Sequence, residues 1–115
     1  MGTKRLLAVI GLLTTMLFGS STGFAAQVQV RGGQSCGKWV ENHRIPDQQT
    51  GNAAESWVLG FLSGMVVAND ENFLEGTDNE SIFQWITNYC TQHPLEHLGD
   101  ATRLLSHELR KKKAL

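Results

Sequence analysis

One stretch constrains the fold of this chain more than any other: residues 81–94, with the sequence S-I-F-Q-W-I-T-N-Y-C-T-Q-H-P. At about 100° per residue, its apolar side chains fall on one side of a helix and its polar side chains on the other. The apolar side holds Ile82, Phe83, Trp85, Ile86, Tyr89, Cys90 and His93. The pattern therefore predicts a helix that packs on a core along one face, where Cys90 can meet the only other cysteine, Cys36.

The N-terminal 25 residues have the pattern of a secretory signal peptide. Lys4 and Arg5 precede an apolar run over residues 6–18 and then a small, polar segment. Small residues at positions −3 and −1 favour cleavage after Ala25, with cleavage after Ala26 as the alternative. An uncleaved membrane anchor is the other interpretation, but the run is shorter than the roughly 20 apolar residues that a bilayer needs. We therefore expect an exported, periplasmic protein with no stable membrane anchor after cleavage.

The mature chain of about 90 residues is large enough for one small domain. We place a flexible lead-in at residues 26–34 and a single helical domain at residues 35–115. All 11 acidic residues lie after residue 25, where only eight of the 10 basic residues remain, so the mature net charge is about −3. The one basic cluster, residues 110–113, stands at the end of the last predicted helix, where it offsets the carbonyl dipole. Without a basic face, we expect no nucleic-acid partner.

Two cysteines in a small exported chain predict one disulfide, between Cys36 and Cys90. A redox-active pair is the alternative, but the chain has no C-x-x-C motif. Because a domain of this size has a small core, such a bridge would supply a large share of its stability.

Periodicity predicts an all-α fold, a small bundle of about four helices stapled by one disulfide. The predicted helices cover residues 36–43, 53–69, 81–93 and about 95–112. The second is apolar nearly all round, so we expect it to be the buried centre of the fold. Gly60 and Gly64 lie on one edge of it and predict that another helix crosses there at close backbone distance.

The connections between these helices carry turn and capping signals. Residues 44–52 hold a proline, an aspartate and a glycine and predict a loop. The second helix either continues to Gly76 or ends at Asn69, and the residues leave both open. Thr77 and Glu80 form a T-x-x-E capping box for the third helix.

No motif for catalysis or for a cofactor stands out. His93 and His97 are four residues apart, as in helical metal sites, but no third ligand has a recognisable spacing. We therefore expect no metal site, and His93 packed against a tryptophan or a backbone carbonyl. The acidic residues between 70 and 80 predict a solvated loop. Of the three tryptophans, Trp57 and Trp85 are expected in the core and Trp39 at a partner surface.

Four segments together resemble a known family: S-C-G-x-W from Ser35, L-G-x-L-S-G from Leu59, L-x-G-T-D from Leu74, and S-I-x-x-W-x-x-N-Y-C-x-x-x-P-L from Ser81. They are similar to the Rap/Tai-type immunity proteins, small exported helical proteins with an HdeA-like architecture. The resemblance covers about residues 36–109. It implies an all-helical domain in which Cys36 and Cys90 are bridged and have a structural role.

The resemblance also implies a function that depends on binding another protein. Rap/Tai-type members neutralise cell-wall-cleaving effectors of type VI secretion by covering their active sites. We therefore expect a non-enzymatic protein whose partner is a secreted amidase effector. The alternative is an HdeA-like acid-stress chaperone that binds unfolding clients. A carrier of apolar ligands would need a core cavity beside Gly60 and Gly64, and the apolar edge from Gly60 to Val67, with Leu104, leaves room for a homodimer.

Overall fold

The computed structural model describes residues 29–45 and 49–115. The predicted signal peptide at residues 1–25, the cleavage site at Ala25 or Ala26 and the start of the lead-in lie outside the described residues. Within the described ranges the protein consists of four helices and no strand, which confirms the predicted all-α bundle. The helices are α1 (Cys36–Arg44), α2 (Gln49–Asn69), α3 (Asn79–Gln92) and α4 (Leu98–Lys112). None of them is both long and apolar enough to cross a membrane.

A disulfide between Cys36 and Cys90 joins the first residue of α1 to the last turn of α3, as predicted. Both cysteines are completely buried, and their Cα atoms are 4.6 Å apart. The start of α1 is also held by main-chain hydrogen bonds to the α3–α4 turn. The N–H of Cys36 donates to the carbonyl of Glu96 at 2.8 Å, and the N–H of Gly37 donates to the carbonyl of Pro94 at 2.9 Å. A Cβ at Gly37 would lie 3.2 Å from that Pro94 oxygen, so glycine permits the close approach.

The core lies mainly between α1, α3 and α4, and α1 and α4 each contact all three other helices. Trp39 of α1 is completely buried, and its Nε1–H donates to Thr87 Oγ1 of α3 at 2.9 Å. The expectation that Trp39 lies at a partner surface is therefore wrong, because α1 is enclosed by the other helices. The buried apolar side chains are Cys36, Trp39, Ala54, Val58, Leu62, Phe73, Ile82, Ile86, Cys90, Leu98, Ala101, Leu105 and Leu109.

The expectation that α2 is the buried centre of the fold is also wrong. This helix packs on α1 and α4 along the single side that carries Ala54, Val58 and Leu62. Gly60 and Gly64 are exposed on the other side, and a Cβ built at either meets no neighbour within 4 Å. No helix in the described residues crosses α2 there. The disulfide and the turns bring α1, α3 and α4 together, which leaves α2 at the edge.

Helix α2 begins at Gln49 rather than at Ala53, so part of the predicted loop over residues 44–52 is helical. Gly51, which reads as a helix breaker, lies buried against the backbone of α1, where an added Cβ would be 3.8 Å from the carbonyl oxygen of Asn42. At its other end the helix ends at Asn69 and does not continue to Gly76, which was the other possibility left open by the sequence. Asp70 takes a left-handed conformation with φ 52°, as is common just after a helix C-terminus.

The predicted capping box of Thr77 and Glu80 is wrong by one residue. Asp78 is the N-cap of α3, and its carboxylate accepts from the N–H of Ser81 at 2.7 Å and from the Ser81 hydroxyl at 3.0 Å. Aspartate is a stronger N-cap than threonine, and its charge also suits the positive end of the helix.

Helix α4 begins at Leu98, three residues later than expected, and Leu95 is 99% exposed in the preceding turn. The carbonyls of Pro94 and Glu96 are bonded to the start of α1, so this segment does not extend the helix. From Leu98 onward the predicted stripe is buried as expected, including Ala101, Thr102, Leu105 and Leu109.

Candidate protein-binding surface

The outer edge of α3 carries a row of stacked rings. Trp85, Tyr89 and His93 are spaced by four residues and therefore follow one another along the helix surface. The rings of Trp85 and Tyr89 are 5.4 Å apart and nearly parallel, and those of Tyr89 and His93 are 4.2 Å apart. All three side chains are half-buried. The row thus presents flat aromatic surface to the solvent while its inner edge packs on the core.

Beside Trp85, the start of α3 and the end of α4 enclose an open cleft of about 670 Å³. Its floor is formed by the buried side chains of Ile82, Leu105 and Leu109, and Trp85 forms part of its wall. One rim holds Thr77, Asp78 and Ser81, and the other holds Glu108, Lys111 and Lys112. The volume falls within the range of ligand-binding pockets, about 300–1,000 Å³. We call this feature the α3–α4 cleft.

A second concavity, of about 530 Å³, lies beside Tyr89. The Tyr89 hydroxyl donates to Glu96 Oε2 at 2.5 Å. This hydrogen bond to the carboxylate raises the pKa of Tyr89, and the nearby charges of Glu96 and Asp100 add to the effect. Arg103 pairs with Asp100 at 3.3 Å, and Leu104 is 38% exposed next to them. The surface here combines an aromatic ring, an arginine and an exposed leucine.

Charges on the cleft rims have opposite signs and are mostly solvated. The Asp78 carboxylate is exposed too, but it differs from the others in being hydrogen-bonded to the N-terminus of α3. The backbone N–H of Ser81, and then its hydroxyl, hold the pKa of Asp78 below its ordinary value. Asp78 is therefore already partnered, which leaves Glu108, Lys111 and Lys112 as the rim charges that can meet an incoming group.

His93 and His97, which are four residues apart, have different surroundings. Nδ1 of His93 lies 2.9 Å from the carbonyl oxygen of Tyr89, where it must donate because a carbonyl only accepts. This agrees with the expectation that His93 packs against a backbone carbonyl. His97 is an exposed residue at the start of α4. In residues 29–45 and 49–115 no group of three or more acidic, histidine or cysteine side chains is arranged to hold a metal ion.

The acidic connection after α2 is solvated as expected, except at Glu71. Its Oε2 atom lies 2.8 Å from Nε of Arg110 on α4, and the Arg110 guanidinium lies 5.0 Å from the centre of the buried Phe73 ring. The pair fastens the α2–α3 connection to α4 and is a structural contact.

Sequence reasoning placed Trp57 and Trp85 in the core, and both are half-buried instead. One signal could have identified Trp85: it lies beside the polar residues Gln84 and Asn88, at the margin of the apolar side of α3. Tyr89 was assigned only to the same apolar face, and its pairing with Glu96 depends on the α3–α4 turn. Nothing in the sequence identified Arg103 as part of this surface, because its position depends on how α4 packs against α3.

Comparison of the chain with models of protein families, with curated proteins and with solved structures found no match. The resemblance to Rap/Tai-type proteins therefore rests on the segments quoted above and stays a prediction.

Proposed function

We propose that this protein is an exported, non-enzymatic protein that binds a segment of another protein along the α3–α4 cleft and the second concavity, beside Tyr89. One observation carries the proposal. Trp85 and Tyr89 are half-buried and stacked on each other, Trp85 lines the α3–α4 cleft, and Tyr89 lines the second concavity. Tryptophan, tyrosine and arginine are the residues that most often dominate binding energy at protein interfaces. Arg103, which lines the second concavity together with Tyr89, adds an arginine to these two aromatic residues.

The cleft favours a partner segment with an apolar anchor and flanking polar groups. An aliphatic or aromatic side chain can fill the space above Ile82, Leu105 and Leu109 and contact the face of Trp85. Around it, Lys111, Lys112 and Glu108 offer charged groups of both signs, which suits a polar rim around a buried anchor.

For the partner we propose a cell-wall amidase effector, which this protein would inhibit. Two predictions support this choice: the signal peptide, which would bring the protein to the compartment of the cell wall, and the segments that resemble Rap/Tai-type proteins. The buried disulfide agrees with an oxidising compartment.

The first test is capture of partners from periplasmic extract by the oxidised chain of residues 26–115, at pH 7 and at pH 3. Arg103→Glu reverses a charge on the proposed surface, and Arg44→Glu reverses one at the exposed end of α1. A single dominant partner at pH 7 that is lost with Arg103→Glu and Trp85→Ala, but kept with Arg44→Glu, supports the proposal. Capture that is equally strong with all variants would exclude this cleft.

The second test is enzymatic. If the captured partner is an amidase, an equimolar amount of this protein should abolish its hydrolysis of cell-wall peptides, and Trp85→Ala should restore it. Hydrolase activity of the purified chain itself would overturn the non-enzymatic assignment, provided that controls exclude a contaminating enzyme as its source.

The second candidate function is that of an acid-activated chaperone. It is favoured by the way in which α2 is held to the rest of the bundle. The disulfide joins only α1 and α3, whereas α2 and the connection after it are tied by two pairs that need a carboxylate. Glu55 Oε1 lies 3.1 Å from His43 Nε2, and Glu71 pairs with Arg110. In strong acid the mature chain becomes strongly positive, and the repulsion among its basic groups would loosen α2, which the disulfide does not hold. Suppression of client aggregation in acid, absent at pH 7, would support this function over the first.

A further inference from the structure

Residues 30–34 lie across the junction between α2 and α4, and we call this segment the N-terminal strap. The indole Nε1–H of Trp57, on α2, donates to the carbonyl of Arg31 at 2.9 Å. The N–H of Leu98, at the start of α4, donates to the carbonyl of Gln34 at 2.8 Å. The strap is therefore hydrogen-bonded to two helices that are distant from each other in the sequence.

Two consecutive glycines let the strap lie flat on Trp57. Gly32 has φ 84°, in the left-handed region that other residues rarely adopt, and a Cβ there would lie 2.8 Å from Trp57 Nε1. A Cβ at Gly33 would lie 3.1 Å from the Trp57 ring and 3.0 Å from Cε1 of His97. The contact therefore requires glycine at position 32 and leaves little room for a side chain at position 33.

The first turn of α4 meets the strap and Trp57 at the same point. A Cβ built at Gly99 would lie 3.4 Å from Val30 and 3.6 Å from the Trp57 ring. Trp57 is followed by Val58, which is completely buried in the packing of α2 on the bundle. Helix α2 therefore cannot move away from the bundle without breaking the hydrogen bond between Trp57 and Arg31.

The disulfide does not hold α2. It joins α1 to α3, and a turn of only five residues, 93–97, connects α3 to α4. Helix α2 is attached by apolar packing, by the pair of His43 with Glu55, and by the strap. Its position on the bundle thus depends on contacts that can be released without breaking a covalent bond.

Packing beneath the strap is incomplete. A cavity of about 290 Å³ is lined by Gly32 and Gln34 of the strap and by Ala54 and Trp57 of α2. Nε2 of Gln34 is buried and has no hydrogen-bond partner among the described residues. Atoms beside a cavity lack contacts on one side, and a buried donor without a partner costs free energy. Both features reduce the free energy needed to release the strap.

We propose that the N-terminal strap is a clamp that holds α2 closed on the bundle, so that release of the strap and opening of α2 are one coupled event of local unfolding. Opening exposes the apolar side of α2 with Ala54, Val58 and Leu62, while the disulfide keeps α1 and α3 joined. The proposal is independent of the binding surface proposed on α3 and α4.

The experiment measures hydrogen exchange by NMR in the oxidised chain of residues 26–115 with the substitution Gly32→Ala. The added methyl group meets Trp57, and alanine is strained in the left-handed conformation, so the strap should be released. Exchange of the inner amides of α2, such as those of Val58 and Leu62, should become at least about tenfold faster. Exchange of the α3 amides should stay unchanged, because the disulfide and the core still hold that helix.

Gly64→Ala is the matched control, because it makes the same substitution on α2 itself where the added Cβ meets no neighbour within 4 Å. It should not accelerate exchange in α2, since alanine is the better helix former. Equal acceleration of α2 and α3 by Gly32→Ala would show that the whole domain unfolds together, which overturns the proposal. Unchanged exchange in α2 also overturns it, even if the Trp57 indole N–H exchanges faster, because the strap would then open alone.

Discussion

Removal of the Cys36–Cys90 disulfide should lower the free energy of unfolding by about 4 kcal/mol. The two cysteines are separated by 54 positions, and closing a loop of that length restricts the unfolded chain by an entropy equivalent to that value at 25 °C. Small domains have total stabilities of about 5–15 kcal/mol, so the bridge supplies a large fraction. For a domain of this size the loss corresponds to a decrease in melting temperature of about 15–30 °C.

Urea denaturation followed by circular dichroism measures this effect on the paired variant Cys36→Ala and Cys90→Ala. Because both positions are completely buried, alanine is preferred to serine, which would bury a hydroxyl. The slope of the free energy of unfolding against urea should also rise, since the unfolded chain without the bridge is less compact. Reductant should destabilise the wild type and leave the variant unchanged. A loss below about 1 kcal/mol would refute the loop-entropy reasoning and show that the α3–α4 turn holds α1 without the bridge.

Three further predictions concern single side chains. Trp39→Phe removes the hydrogen bond to Thr87 and should lower the free energy of unfolding by about 1–2 kcal/mol in urea denaturation; an unchanged midpoint would contradict the buried pairing. Tyr89 is the only tyrosine, so absorbance titration reports it alone; its midpoint should lie above 10.0, and Glu96→Gln, which removes the charged acceptor, should lower it. Asp78 has a lowered pKa, so its cap stabilises the fold above pH 3.8 and the effect is lost as pH falls through the folded-state pKa. Asp78→Asn should therefore reduce the melting temperature at pH 7 and match the wild type in strong acid, whereas an equal difference at both pH values would refute the charge argument.

The sequence was most informative about local structure. The apolar side of residues 81–94 and the stripe after Leu98 predicted α3 and α4 because helical periodicity is a property of short segments. Signals at the helix ends were less reliable. Asp78, rather than Thr77, caps α3, because neighbouring residues compete for the same N–H groups and the geometry of the turn selects one.

The candidate site was not predictable in the same way. Trp39 and Trp85 both lie on apolar helix faces, yet Trp39 is completely buried and Trp85 is half-buried. The difference arises because α1 is enclosed by three other helices, whereas Trp85 lies at the edge of the α3–α4 contact. Periodicity identifies an apolar face but does not show how much of it the neighbouring helices cover.

The sequence alone predicted the all-α class, the four helices and the pairing of Cys36 with Cys90. The helices follow from local patterns, and the pairing follows because the chain has only two cysteines. Only the tertiary structure decided which helix is central. The most apolar helix, α2, lies at the edge, because the disulfide and the hydrogen bonds at the α3–α4 turn enclose α1 instead. A helix that is apolar on every side is buried only where neighbouring helices cover it. In the described residues, the other helices cover α2 along one side.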